Sequence, residues 1–81
     1  MKNSYLKVNV QSPDPLWLQL ANQLEQTVLQ GGVKVGYTLP STAEIRRTAS
    51  VSHSTVYRAY RHLWSKGLVQ WVKFEGFLVK R

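Results

Sequence analysis

Residues 39–69 read LPSTAEIRRTASVSHSTVYRAYRHLWSKGLV, and the rest of the architecture can be built outward from them. Ser41 is followed three residues later by Glu44, the form of a capping box in which each side chain satisfies a free N–H of the first turn. The spacing predicts a short helix over Thr42–Ala49, with Ile45 and Ala49 inward and Arg46 and Arg47 outward. Ser50-Val51-Ser52 reads as a turn, and Ser52 is placed to cap a second helix, His53–Lys66. There Val56, Ala59, Tyr60 and Leu63 fall at i, i+3, i+4 and i+7, the period of one buried face. Ser54, Tyr57, Arg58 and Arg61 repeat that spacing on the opposite face, and Gly67 stops the helix. A capped helix, a turn and a second helix, apolar behind and basic and hydroxyl-rich in front, is the layout of a helix-turn-helix that lays its second helix in the major groove of DNA.

Downstream, Leu68–Val72 and Gly76–Lys80 read as two strands joined around Lys73-Phe74-Glu75-Gly76. Upstream, Tyr5–Val10 alternates so that Leu6, Val8 and Val10 share one side of a short strand. Ser12-Pro13-Asp14-Pro15 breaks it, Asp14 can cap the next helix, and Pro15 suits its first turn. That helix runs over Pro15–Gln30, with Leu16, Leu20, Leu24 and Val28 on one stripe widened by Trp17, Ala21 and Thr27, and Gly31-Gly32 ends it. Val33–Pro40 is a connector turning at Gly36, with room for one short strand at Tyr37–Leu39. The expectation is one α+β domain over residues 1–81, a winged helix-turn-helix. It has an N-terminal arm with a short strand (1–14), helices at 15–31, 41–49 and 52–66, and a two-stranded β-hairpin wing at 68–80.

Charge supports the same reading. The chain carries 11 Lys and Arg against four acids. Residues 1–43 hold three cations (Lys2, Lys7, Lys34) against Asp14 and Glu25. Residues 44–81 hold eight (Arg46, Arg47, Arg58, Arg61, Lys66, Lys73, Lys80, Arg81) against Glu44 and Glu75. A polyanion facing the C-terminal half is implied. With no cysteine, disulfides and thiolate metal sites are excluded, and a reducing compartment fits. No apolar run approaches the ~18 residues a membrane span needs, and the N-terminus lacks a signal-peptide core. A cytoplasmic, nucleoid-associated protein is expected, with no membrane partner.

Arg58 and Arg61 are the leading candidates for direct contacts, because a guanidinium can pair bidentately with guanine O6 and N7 or clamp a phosphate. Arg58 lies earlier in the helix and is assigned nearer the bases, Arg61 nearer the phosphates. Ser54 and Thr55 can bind phosphate or serve the helix terminus, and Ser41 caps first and contacts phosphate second. Arg46 and Arg47 either steer DNA by charge or face solvent. His53 can contact DNA and make affinity pH-sensitive. His53 and His62 are nine residues apart with no acid at ligand spacing, so neither metal nor cofactor is expected. No nucleophile, base and orienter come together and no glycine-rich phosphate loop is present, so an enzyme is not expected.

The chain resembles the DNA-binding domain of GntR-type bacterial transcription regulators over about residues 15–79. Pro15-Leu16-Trp17-Leu18-Gln19-Leu20 is similar to the family's P-L-Y-x-Q-L opening, Leu39-Pro40-Ser41 to its L-P-S, Val51-Ser52 with Thr55-Val56 to its V-S-x-x-T-V, and Gly67-Leu68-Val69 to its G-L-V. Arg58-Ala59-Tyr60 is closer to the YtrA and MocR branches. The resemblance implies a three-helix winged helix that binds an operator as a dimer. Ser41, Ser54, Thr55 and Arg58 would then lie at phosphates or base edges, with His53 and Tyr57 exposed at the front of the reading helix. Three departures stand out. Ala43 occupies a frequent arginine position, Phe74 replaces the wing's first glycine, and Glu75 replaces its arginine. An acid is unfavourable between phosphates, so deep wing insertion is not expected, while Lys73, Lys80 and Arg81 can still touch the backbone. The 81 residues end just after the wing, where GntR regulators carry an effector and dimerisation domain. No small-molecule effector is therefore expected, and the chain being a piece of a longer regulator stays open.

The aromatic residues exceed what the core needs. Trp71, Phe74 and Phe77 crowd one hairpin, and Trp64 lies beside the apolar stripe. They imply either a protein contact, which would serve in place of the dimerisation domain, or packing of Trp71 and Phe77 onto the first helix. The function expected is a sequence-specific duplex-DNA-binding transcription regulator, a repressor, of bacterial or mobile-element origin. An architectural DNA-binding protein and a protein-interaction module using the aromatic wing are the alternatives. A homodimer, formed on DNA if anywhere, would use the arm, the aromatic hairpin or the DNA itself.

Overall fold

The computed structural model describes residues 7–30 and 33–80. In chain order it contains α1 (Leu16–Gln30), α2 (Thr42–Ala49), α3 (His53–Ser65), β1 (Val69–Val72) and β2 (Gly76–Val79). β1 and β2 pair antiparallel in the register Val69↔Val79, Gln70↔Leu78, Trp71↔Phe77 and Val72↔Gly76. This is the expected α+β winged helix-turn-helix. None of the described helices is long and apolar enough to cross a membrane.

The helix ends follow from specific hydrogen bonds. Ser41 Oγ accepts from the Glu44 N–H at 3.1 Å, and the Ser41 N–H donates to Glu44 Oε1 at 3.1 Å, so the capping box forms as read. Ser52 Oγ accepts from the Thr55 N–H at 3.2 Å and starts α3. Past α3, the Gly67 N–H donates to the Trp64 carbonyl at 2.9 Å and the Leu68 N–H to the Leu63 carbonyl at 3.1 Å. Gly67 takes φ +74°, the left-handed conformation that reverses the chain at a helix end.

The expected Asp14 cap is not made. The Pro15 carbonyl accepts from the Leu18 and Gln19 N–H groups at 3.1 Å, which starts α1 at Leu16. The Asp14 carbonyl is held instead by Gln19 Nε2 at 2.9 Å. The expected arm strand also departs from its reading. Tyr5 and Leu6 lie outside the described residues, as does the Gly31-Gly32 stop, and residues 7–10 form no ladder. Two α1 carboxamides take the place of a partner strand. Gln19 accepts from the Asn9 N–H at 2.7 Å and donates to its carbonyl at 3.0 Å, and Gln23 does the same for Lys7. The glutamines are one helical turn apart, which matches the two-residue repeat of an extended chain. Val8 reaches the core, while Val10 stays 78% exposed.

The core lies between α1, α2, α3 and the hairpin. Leu20, Ala21, Leu24, Val28, Ile45, Val56, Ala59, Tyr60, Leu63, Val69 and Val79 are fully buried. Tyr60 is its hub. Its ring stacks on Phe77 at 4.1 Å and 8°, and its hydroxyl donates to the Pro40 carbonyl. One side chain of α3 therefore fixes both the wing and the chain entering α2. The connector adds a third rung to the sheet: Thr38 bridges Leu78, the Leu39 N–H donates to the Phe77 carbonyl, and the Val79 N–H to the Tyr37 carbonyl, each bond at 2.9 Å. Lys66 Nζ meets Glu25 Oε1 at 2.7 Å and ties the far end of α3 to α1.

Candidate nucleic-acid interface

Burying Val56, Ala59, Tyr60 and Leu63 leaves the other side of α3 turned to solvent. Ser54, Tyr57, Arg58 and Arg61 line a cleft of about 630 Å³ together with His62, Ser65 and, from α1, Trp17. The Arg58 guanidinium carbon lies 4.8 Å from the Trp17 ring centre, a cation–π distance. His62, one turn on, meets the same ring edge-on at 5.3 Å. Arg58 is thus held against α1, and neither arginine faces an acid among the described residues. A cleft with two guanidinium groups, three hydroxyls and no carboxylate can accept an anion such as a phosphate.

The other candidates distribute around this cleft. His53 stacks on Tyr57 at 6.2 Å and 10°, at the leading end of α3. Thr55 is half-buried and its Oγ1 lies 2.8 Å from Ser52 Oγ, at the start of α3. Ser54 Oγ lies 3.2 Å from the same Ser52 hydroxyl while Ser54 still lines the cleft. Ser41 is exposed, and its Oγ is engaged as the α2 cap. Arg46 and Arg47 line a separate hollow with Ala43, Ser50 and Val51, apart from the α3 cleft. Lys73 stands at the wing tip, its Nζ 5.3 Å from the Phe74 ring centre. Lys80 is at the opposite end of the hairpin, where its N–H donates to the Leu68 carbonyl.

Sequence reasoning missed three lining residues, Trp17, His62 and Ser65. Trp17 adjoins the apolar stripe of α1 and does pack against the core, so that stripe alone does not point to the cleft. Its position one residue off the Leu16–Leu20–Leu24 line was the available signal, and the ring is half-buried. The aromatic hairpin also divides differently than expected. Phe77 packs, 7% exposed, but its stacking partner is Tyr60 of α3. Trp71 at 54% and Phe74 at 95% remain at the surface. Phe74 has φ +71° in a turn closed by the Glu75 N–H on the Val72 carbonyl, a conformation that favours glycine.

The chain is similar to transcriptional repressors. It is 30% identical over 76 residues to the HTH-type transcriptional repressor NagR of Bacillus subtilis, covering 94% of this chain and 31% of that protein. It is 27% identical over 71 residues to the repressor YtrA of the same organism, covering 88% of this chain and 55% of YtrA. The chain thus spans about half or less of the length of these relatives. Among solved structures, YtrA from Sulfolobus acidocaldarius, a GntR-family transcription factor, superposes with a TM-score of 0.82 at 30% identity, covering 94% of this chain and 80% of that one. The family model for bacterial regulatory proteins of the gntR family matches residues 16–79, from the first residue of α1 to the last of β2, and the chain belongs to that family.

Proposed function

We propose that this domain binds duplex DNA at a specific operator and represses transcription, with α3 in the major groove. The observation that carries this reading is the front of α3. Arg58, Arg61, Ser54 and Tyr57 stand together on the face opposite the core, with no acid in the cleft they line. Arg58 and Tyr57, in the first half of the helix, are assigned to base edges. Arg61 and Ser54 are assigned to phosphates. Lys73 meets the backbone from the wing tip, and Arg46, Arg47 and Lys80 contribute long-range attraction only. The cytoplasm is the expected site of action.

Binding to a genomic fragment library across a salt series, with the bound fragments sequenced, tests the reading. One enriched motif that persists above ~150 mM salt is the expected outcome, and the spacing of repeated half-sites then reports how copies pair. Arg58→Ala should lower affinity for that motif far more than for random DNA. Uniform, salt-labile binding with no motif would refute sequence-specific regulation.

A further inference from the structure

A second cleft adjoins the first on the other side of the α3 front. It is about 390 Å³, lies between α3 and the hairpin, and is walled by Tyr57, Trp64 and Trp71 over a floor of Phe77. The three walls are 44%, 51% and 54% exposed, although each is a large ring that folding normally covers. Their donors, the Tyr57 hydroxyl and the two indole N–H groups, make no hydrogen bond among the described residues. Tyr57 lines both clefts. Tyr57, Arg61 and Trp64 fall at i, i+4 and i+7 on α3, so Arg61, which lines the first cleft, is a helix-surface neighbour of Tyr57 and Trp64 of the second.

We infer that this aromatic cleft holds one sugar–phosphate strand of the duplex, contacting it through uncharged groups. The inference rests on the DNA-binding reading above and extends it to a second contact of a different chemistry. Three features select this occupant. A phosphate on Arg61 places the neighbouring sugars of the same strand beside Tyr57 and Trp64. Ring faces suit the apolar C–H surface of deoxyribose, while indole and phenol donors at the rim suit phosphate oxygens, which accept without donating. The half-exposed rings offer roughly 300 Å², well short of the ~800 Å² per partner that a stable protein interface buries, so a second copy of the chain or a folded protein is poorly matched to it. The contact also accounts for a wing whose tip carries Phe74 and Glu75. A wing that holds the strand through Trp71 on β1 does not depend on a basic tip.

Uncharged contacts have a signature that cations lack. They release no counterions, so they add affinity without steepening its dependence on salt. The test is hydroxyl-radical footprinting and a salt series on the tightest genomic fragment, comparing wild type with Trp64→Ala, Trp71→Ala, Trp71→Phe and Arg61→Ala. Trp71→Ala and Trp64→Ala should abolish protection of a few adjacent sugars on one strand and weaken binding roughly five- to tenfold, with the salt slope unchanged. Arg61→Ala should instead lower the slope by about 1. Trp71→Phe, which keeps an aromatic face but removes the indole N–H together with part of the ring area, should keep the protection and weaken binding a few-fold. It carries the test should the alanine variants fail a thermal-unfolding check. Wild-type footprint and affinity in folded tryptophan variants would overturn the inference while leaving the α3 reading intact. Absence of any wild-type footprint would overturn both.

Discussion

Tyr60→Phe isolates one hydrogen bond that links the reading helix to the rest of the domain. Tyr60 is fully buried, its hydroxyl donates to the Pro40 carbonyl, and Pro40 is itself buried. The variant keeps the ring and its stack on Phe77, so the aromatic contribution to packing is preserved. What changes is that a buried carbonyl loses its donor, a loss of about 1–3 kcal/mol. A value near 2 kcal/mol would lower Tm by roughly 8–16 °C in a domain of this size. Urea unfolding followed by tryptophan fluorescence should show a lower midpoint with an unchanged slope, because the surface exposed on unfolding is the same. The effect should reach function as well, since Pro40 immediately precedes the Ser41 cap and the bond sets how α2 meets α3. Stability within about 0.5 kcal/mol of wild type would refute the reasoning and mean that water or another donor serves the Pro40 carbonyl.

Other perturbations read separate parts of the structure. Phe74→Gly should raise Tm, because relieving a side chain held at φ +71° outweighs the extra chain entropy of glycine, for a net gain of a few tenths to about 1 kcal/mol. A lower Tm would mean that the contact of this ring, 95% exposed, with Lys73 and the added chain entropy of glycine together outweigh the relief of strain. Ser41→Ala should cost about 1 kcal/mol in thermal unfolding, and Ser41→Asp should recover most of it, since aspartate caps as serine does. The double variant Gln19→Ala with Gln23→Ala should speed hydrogen exchange at the Lys7 and Asn9 amides and leave the core amides unchanged. Uniform protection would mean that Val8, not the glutamines, holds the arm.

What could be read from the sequence, and what could not, divides by the range of the interactions. The α2 cap, the two faces of α3 and the Gly67 stop rest on residues within one or two turns of each other, so spacing alone identified them. The arm did not yield, because its partners Gln19 and Gln23 lie 10 and 16 residues from Asn9 and Lys7. Alternating residues in 5–10 suggested a strand, and nothing in that alternation shows that side chains of a helix would do the pairing. The same applies to Asp14, a good capping residue by type, whose place is taken once Gln19 reaches its carbonyl. At the candidate site, Arg58 and Arg61 were visible from charge and phase. That Arg58 lies on Trp17, and that Arg46 and Arg47 sit apart from it, depends on how α1 and α2 cross α3. Phe77 looked like surplus on a hairpin because its partner, Tyr60, is 17 residues earlier and already counted as core.

The division of α3 into two faces has a consequence for how this domain can change. Val56, Ala59, Tyr60 and Leu63 hold the fold and are fully buried, so altering them costs stability whatever the DNA sequence. Ser54, Tyr57, Arg58 and Arg61 lie on the other face, where the core does not depend on them. Under the proposed DNA-binding reading, their substitution should redirect recognition with little effect on Tm. Trp17 is the exception, because it packs against the core and against Arg58 at once. It couples stability to the geometry of the reading face, as no residue on the front of α3 does. A change at Trp17 should thus move Tm and DNA affinity together, whereas changes at Arg61 should move affinity alone.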